Sequence, residues 1–447
     1  MTLPPPPPAL TEEAQLLVAG LASKLFNAIP HGSISVSTYD TAWTSMISKP
    51  ISGNHQWLFP SSFSSILQSQ NADGGWGDLI TGVEVDDILN SMSALLALLK
   101  HRHQTPVVDG DTLPPDIDFR ITDAVSWLER KLRTWDVEST EHVCFEMLVP
   151  MHLQLLREFG FEFQFPGFPF LMELHDEKVS NFDSHKAKDT FLYPLEAFIG
   201  VLDFDELKMQ LRNGSFMSSP ASTAAYLIYA SVWDEEAEEY LQTVYKNGSG
   251  NGTGEFPSAF PSELFESSWM LSTLLQSGFT TADLGGDQTT VIGEYLEKAL
   301  TSSNGTVGFT LGAIPDADNT AKAILTLSLL NREYHDPSRM ITSFFNGSYF
   351  QTYPSEQNPS FSATCNVLIA LLHLKDVTRY EIQIASAVDF LCSCWSSGSM
   401  RDKWTSSPKS PQGSSKPKAK TEAGPIAVAN QQPTLSSRFP HSYLRNR

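Results

Sequence analysis

Apolar residues recur at three- and four-residue spacings along the chain as far as Trp404, the period that turns one face of an α-helix toward a core. Leu16, Leu17, Ala19, Leu21, Ala22 and Leu25 mark the first such stretch, Ala9–Phe26. Further helices are predicted at Asp87–His101, Ile117–Thr134, Val143–Glu158, Thr190–Arg212, Ser222–Ala230, Glu235–Lys246, Leu264–Ser277, Val291–Ser302, Thr320–Asn331, Pro337–Phe345, Phe361–Leu374 and Tyr380–Cys394. Gly, Pro, Asn and Ser fill the links, and no run alternates with a period of two, so the fold class is all-α. Many helices of similar length with short links imply an antiparallel helical barrel or solenoid. No fixed period supports a named repeat. Residues 1–8 are a Pro-rich, polyproline-like lead. Residues 405–447 are Ser/Pro/Lys-rich without apolar period, and are expected to be disordered.

Composition narrows the class. With 447 residues, 41% of them hydrophobic, the chain can build two or three domains. The formal net charge is -21. The tail from residue 405 holds seven Lys/Arg against one acid, a charge of +6, which leaves -27 for the rest. So acidic a body excludes nucleic acid as a partner. No apolar run reaches the length of a membrane span, and Met1–Ala9 lacks the basic and apolar regions of a secretory leader. A cytoplasmic location follows. Cys144 and Cys365 sit in apolar helical contexts, and Cys392 with Cys394 is too little for a zinc site.

The candidate chemistry lies in Pro315-Asp-Ala-Asp-Asn-Thr320, two carboxylates and an amide directly before a helical run. Asn319 or Thr320 is suited to cap that helix. An acid that protonates an alkene must keep its proton at neutral pH, which needs an apolar pocket and hydrogen-bonding neighbours. Glu84-Val-Asp-Asp87 also precedes a helix, and there capping accounts for the acids.

Two further segments, Ser37-Thr-Tyr-Asp-Thr-Ala-Trp43 and Gln70-Asn-Ala-Asp-Gly-Gly-Trp76, resemble signature segments of the class II terpene cyclases. In the second, Gln is expected to cap a helix end while Trp stacks over it, a structural role. Phe145–Pro150, Leu195–Phe198, Asn213–Pro220, Phe256–Glu266, Glu356–Leu368 and Asp402–Trp404 are similar, in register, to the fungal copalyl diphosphate/kaurene-synthase type of diterpene cyclase. The resemblance implies that Asp318 protonates the terminal alkene of geranylgeranyl diphosphate, giving a copalyl-type bicyclic diphosphate, with Asp316 and Asn319 as hydrogen-bonding neighbours. Asn319 stands where the family keeps a third Asp. Tyr193 stands where related plant enzymes carry a His that helps take the final proton, and Ser258 matches the Asn beside it.

The resemblance implies that Lys178, with Lys186 or Lys188 as alternatives, and Lys403 hold the diphosphate. Trp43, Trp76, Trp269, Tyr349 and Trp404 are candidates to stabilise cations. Protonation needs no cofactor, and magnesium enters as a counter-ion of the diphosphate. The expected architecture is two α-helical barrels: residues 28–255 as an inserted domain, and residues 9–27 with 256–404 as the domain bearing Asp318. The family continues beyond Asp402-Lys-Trp404, so the second barrel is expected to be incomplete. The magnesium motifs of class I synthases are missing from the sequence, so a separate class I synthase would act downstream. The rival expectation is a non-catalytic remnant of a bifunctional synthase.

Overall fold

The computed structural model describes residues 6–27, 29–32, 34–51, 54–77, 84–103, 113–140, 142, 144–181, 193–332, 336–354, 356 and 359–398. The fold is all-α, as the periodicity predicts, apart from two short antiparallel strand pairs. Strand β1 (Val36–Ser37) pairs with β4 (Phe256–Pro257), and β2 (Ser48–Ile51) with β3 (Asn54–Trp57). The helices are α1 (Pro8–Lys24), α2 (Thr38–Ser45), α3 (Pro60–Gln68), α4 (Glu84–His103), α5 (Ile117–Thr134), α6 (Phe145–Glu158) and α7 (Phe168–Asn181). Then come α8 (Pro220–Tyr229), α9 (Glu235–Asn247), α10 (Glu263–Gln276), α11 (Gly286–Ser302), α12 (Ala317–Leu329), α13 (Ser338–Phe344), α14 (Phe361–Leu372) and α15 (Glu381–Ser397).

Caps explain where several of these begin. Ser37, Ser219, Asp234 and Ser360 each accept a backbone N–H of the helix that follows, for α2, α8, α9 and α14. Glu84, Asp86 and Asp87, expected to precede and cap this helix, lie instead inside the first turn of α4, where the helix dipole favours their charge. The long helix predicted at Thr190–Arg212 does not form across its described part. Leu195–Phe198 and Phe204–Gln210 are separate 3-10 turns, parted at Gly200, whose φ of +80° no continuing helix accepts. Helices α2, α3 and α7 lie outside the predicted set; α3 has a stripe, Phe63, Ile66 and Leu67, but is only nine residues long. In α2, Asp40, Thr41, Thr44 and Ser45 are buried although polar. The predicted tail, residues 405–447, lies outside the described residues.

Apolar side chains gather into two large cores. One draws on residues from Ala42 to Phe260, the other joins Ala14–Leu25 of α1 to Leu264–Ala387. In the first, α2 packs on α3, α4 and α8, and α4 on α5 and α6. In the second, α12 is central, packed by α10, α11, α13 and α14, while α1 lies on α10 and α11.

The Gln70–Trp76 turn staples α3 to α5. Trp76 is fully buried and donates its indole N–H to the Ile66 carbonyl at 2.8 Å, and Arg120 donates to Leu67 at 2.8 Å. These two side chains cap the end of α3, the role expected of Gln70. Gln70 donates instead to the carbonyls of Gly74 and Arg120, at 3.0 and 3.1 Å. Gly75 lies flat against Trp127, where an added Cβ would come within 2.3 Å of the ring. Gly75→Ala should therefore destabilise the protein by about 1–3 kcal/mol through overpacking, read as a lowered denaturant midpoint. A variant as stable as wild type would show that the turn is free to move off the ring.

Candidate functional site

The first turn of α12 carries the Asp316-Ala-Asp-Asn319 motif, and all three polar side chains are buried, at 3%, 8% and 7% exposure. Asp316 is the N-cap, not Asn319 or Thr320. Its Oδ1 accepts the Asn319 backbone N–H at 2.7 Å, and its Oδ2 accepts Asn319 Nδ2 at 2.8 Å. The backbone around it is clamped: Asp316 N donates to the Val307 carbonyl and Ala317 N to that of Thr352. The Thr320 hydroxyl takes the role left over, pairing with both backbone groups of Val307 at 3.0 Å each. Burial first, and then the charge of Asp318, push the Asp316 carboxyl up to about 7, against the pull of the Asn319 donors. Around neutral pH this pair of acids therefore holds a proton.

Asp318 faces a different donor. Its Oδ1 accepts Asn366 Nδ2 at 2.5 Å, from the middle of α14. Asn366 was not singled out from the sequence. The signal was an amide inside Phe361–Leu372, an otherwise strongly apolar helix. Tyr353 was missed as well. Its hydroxyl is held far above the ordinary range by burial and then by the nearby charges of Asp316, Asp318 and Glu356.

The two cores meet at this end. Tyr193, on the side of the first core, also acts on Tyr353, and its hydroxyl donates to the Ser258 carbonyl at 3.2 Å. Thus the positions matched to the plant His and Asn do lie together, linked through a backbone oxygen. Behind Tyr193 stand Asp40 and Glu196, each pushed up to about 7 by burial. Glu196 accepts from Tyr39 at 3.0 Å and from Ser222 at 2.8 Å. Lys178 is on α7, 62% exposed and 3.3 Å from Glu146. Lys186, Lys188, Lys403 and Trp404 lie outside the described residues.

The aromatic candidates divide. Trp43 and Trp76 are wholly buried in the first core, so they pack rather than meet a ligand. Tyr349 lies against Phe390, with the rings tilted by 33° and their centroids 4.9 Å apart. Trp269 donates its indole N–H to Asn319 Oδ1 at 3.1 Å, which ties α10 to the motif. Among the described residues no group of three His, Cys, Asp or Glu is arranged to hold a metal ion.

No family model matches the chain. It is 44% identical over 384 residues to phyllocladan-16-alpha-ol synthase of Phomopsis amygdali, a match covering 84% of this chain and 38% of that protein. It is 42% identical over 409 residues to copalyl diphosphate synthase of Talaromyces verruculosus, covering 90% and 42%. The crystal structure of ent-copalyl diphosphate synthase from Arabidopsis thaliana, solved with (S)-15-aza-14,15-dihydrogeranylgeranyl thiolodiphosphate, superposes with a TM-score of 0.72 at 22% identity, over 88% of this chain and 54% of that one. Over most of its length the chain is related to these fungal diterpene synthases. Its fold is the α-helical barrel fold of the Arabidopsis enzyme. The chain spans about two-fifths of the length of the curated relatives it matches.

The amide at position 319 is open to a pH test. Asn319→Asp would set a carboxylate about 2.8 Å from Asp316 Oδ2, so the two must share a proton. The folded pair then binds protons above the unfolded carboxylate pKa of about 3.9, and its stability is lost as pH rises through neutrality. Asn319→Asp should be destabilised relative to wild type by about 1–3 kcal/mol at pH 8, with little difference near pH 5, in denaturant titrations. An offset of equal size at both pH values would exclude the shared proton.

Proposed function

We propose that this chain carries a class II diterpene cyclase activity, the protonation-initiated cyclisation of geranylgeranyl diphosphate to a copalyl-type bicyclic diphosphate. The observation that carries the reading is the orientation of the two buried acids. Both oxygens of Asp316 accept from Asn319, which favours the negative charge there, while Asp318 Oδ1 accepts from Asn366, and the proton of the pair is assigned to Asp318. Asp318 transfers that proton to the terminal alkene, the chain's carbon–carbon double bonds close two rings in turn, and a proton lost from the resulting cation ends the reaction. Protons balance, and the diphosphate stays attached. The ligand in the Arabidopsis enzyme, an aza analogue of geranylgeranyl thiolodiphosphate, supports a substrate of this length and charge.

The two cores are read as two domains, residues 28–255 and residues 9–27 with 256–404, although the first core runs on past that boundary to Phe260, and the substrate is proposed to lie where Tyr193 approaches Tyr353. Tyr193 is proposed to orient a proton acceptor rather than to serve as the base, since its hydroxyl proton is engaged by the Ser258 carbonyl. Lys178 and Lys403 are proposed to hold the diphosphate. Lys178 lies within electrostatic reach of Cys144, as does Glu196, which sets it at the Tyr193 end of the first core. Magnesium would accompany the diphosphate as counter-ion, and a separate class I synthase would consume the product. No helix among the described residues is long and apolar enough to cross a membrane, which agrees with a proposed cytoplasmic location.

One observation favours the rival, a non-catalytic remnant: Ile382, Val388 and Trp395 on α15 are 74%, 41% and 70% exposed. Incubation with geranylgeranyl diphosphate, followed by phosphatase and mass spectrometry, separates the two. A bicyclic alcohol is expected from wild type, and Asp318→Asn should reduce it by at least about a hundredfold. Asn366→Ala, which takes the donor from Asp318, should cost about tenfold or more with the fold intact. No alcohol from a folded wild-type chain would favour the remnant, and an unaffected Asp318→Asn would remove Asp318 as the acid.

A further inference from the structure

Lys322 has no part in the mechanism above, yet it sits on α12 one turn beyond Asp318 at 8% exposure. Lysine is almost never buried so far without something that answers its charge. Its Nζ lies 4.7 Å from the centroid of the Trp269 ring. The edge of that same indole donates to Asn319 Oδ1 at 3.1 Å, and Asn319 Nδ2 donates to Asp316 Oδ2 at 2.8 Å. A continuous line of contacts therefore runs from a buried ammonium to the acid motif.

The line has a direction. An indole N–H can only donate, so the oxygen of the Asn319 amide must face Trp269 and its nitrogen must face Asp316. Without the indole, the amide is free to turn over and set its oxygen against a carboxylate oxygen. An ammonium over the ring face both holds the ring and strengthens its N–H as a donor.

We propose that Lys322 and Trp269 are positioning residues: together they lock the Asn319 side-chain amide so that its Nδ2–H falls on Asp316 Oδ2, beside the backbone N–H already on Oδ1, and Asp318 is then the carboxyl with the transferable proton. The arrangement suits an amide at the fourth position of the motif, which accepts from Trp269 and donates to Asp316 at once without a titrating proton. It also assigns one face of Trp269 to Lys322, and so not to a carbocation. The catalytic consequence rests on the function proposed above, whereas the lock itself does not.

Two readouts keep these apart. In protein labelled with 15N-tryptophan, nine indole resonances are expected, and Trp269→Phe identifies one of them. Asn319→Ala and Lys322→Met should each move that resonance upfield while the other eight stay in place, and Lys322→Arg should hold it. A Trp269 resonance indifferent to both changes would overturn the lock. With geranylgeranyl diphosphate as substrate, Lys322→Met should lower kcat by about tenfold or more with KM nearly unchanged, and Lys322→Arg should restore it to within about threefold. Lys322→Met at the wild-type rate would overturn the catalytic role. If wild type itself turns nothing over, the function proposed above fails, and the indole resonance still decides the lock.

Discussion

The first turn of α12 has to be capped where no water reaches it. A helix start leaves backbone N–H groups that a carboxylate satisfies best when ionised, and most such caps stand in solvent, where the charge costs little. Asp316 does this work at 3% exposure, beside a second buried acid. Capping favours the anion while burial favours the acid, and the two meet near neutrality. The rest of the second core serves that compromise. Val307 and Thr352 pin the backbone, Thr320 uses up the groups of Val307, and α10 and α14 each deliver one amide-matched partner, Trp269 and Asn366.

How much of this was legible in the sequence depended on distance along the chain. Helices with a full apolar stripe were found to within a few residues, and α5 at its observed bounds. Helix α2 was not, because its buried face is half hydroxyl and carboxylate, satisfied by partners as remote as Ala221 and Phe256. A period in hydrophobicity cannot report such a face. The acid motif could be located, but its cap was misassigned. Which of three adjacent polar residues caps depends on backbone angles, and Asp316 is the one left extended, with φ -131° and ψ 160°. Asn366 is 48 residues from Asp318 and meets it only because α14 packs on α12.

The same division separates signature from chemistry. The segments that reveal kinship most readily, Ser37–Trp43 and Gln70–Trp76, lie in the first core, where Trp43 and Trp76 are sealed from any ligand. They are distinctive because their geometry tolerates little: Gly75 has no room for a methyl group, and the Trp76 N–H has one carbonyl to meet. A close-packed staple restricts sequence as strongly as a catalytic group does.

An amide at position 319 keeps the hydrogen bonds of the motif while removing a buried charge. A carboxylate there would be the third within one helical turn, and at about 2.8 Å from Asp316 it could persist only by binding a proton of its own. Asn319 supplies two N–H groups to Asp316 and an oxygen to Trp269 with nothing to titrate. The motif's remaining proton then belongs to the Asp316–Asp318 pair alone. With less negative charge around it, the pair gives that proton up more readily and retains it less often. Such an exchange is favourable only while the pair titrates close to the working pH, where loading and transfer are both appreciable. Burial, which pushes Asp316 up to about 7, is what holds the pair there.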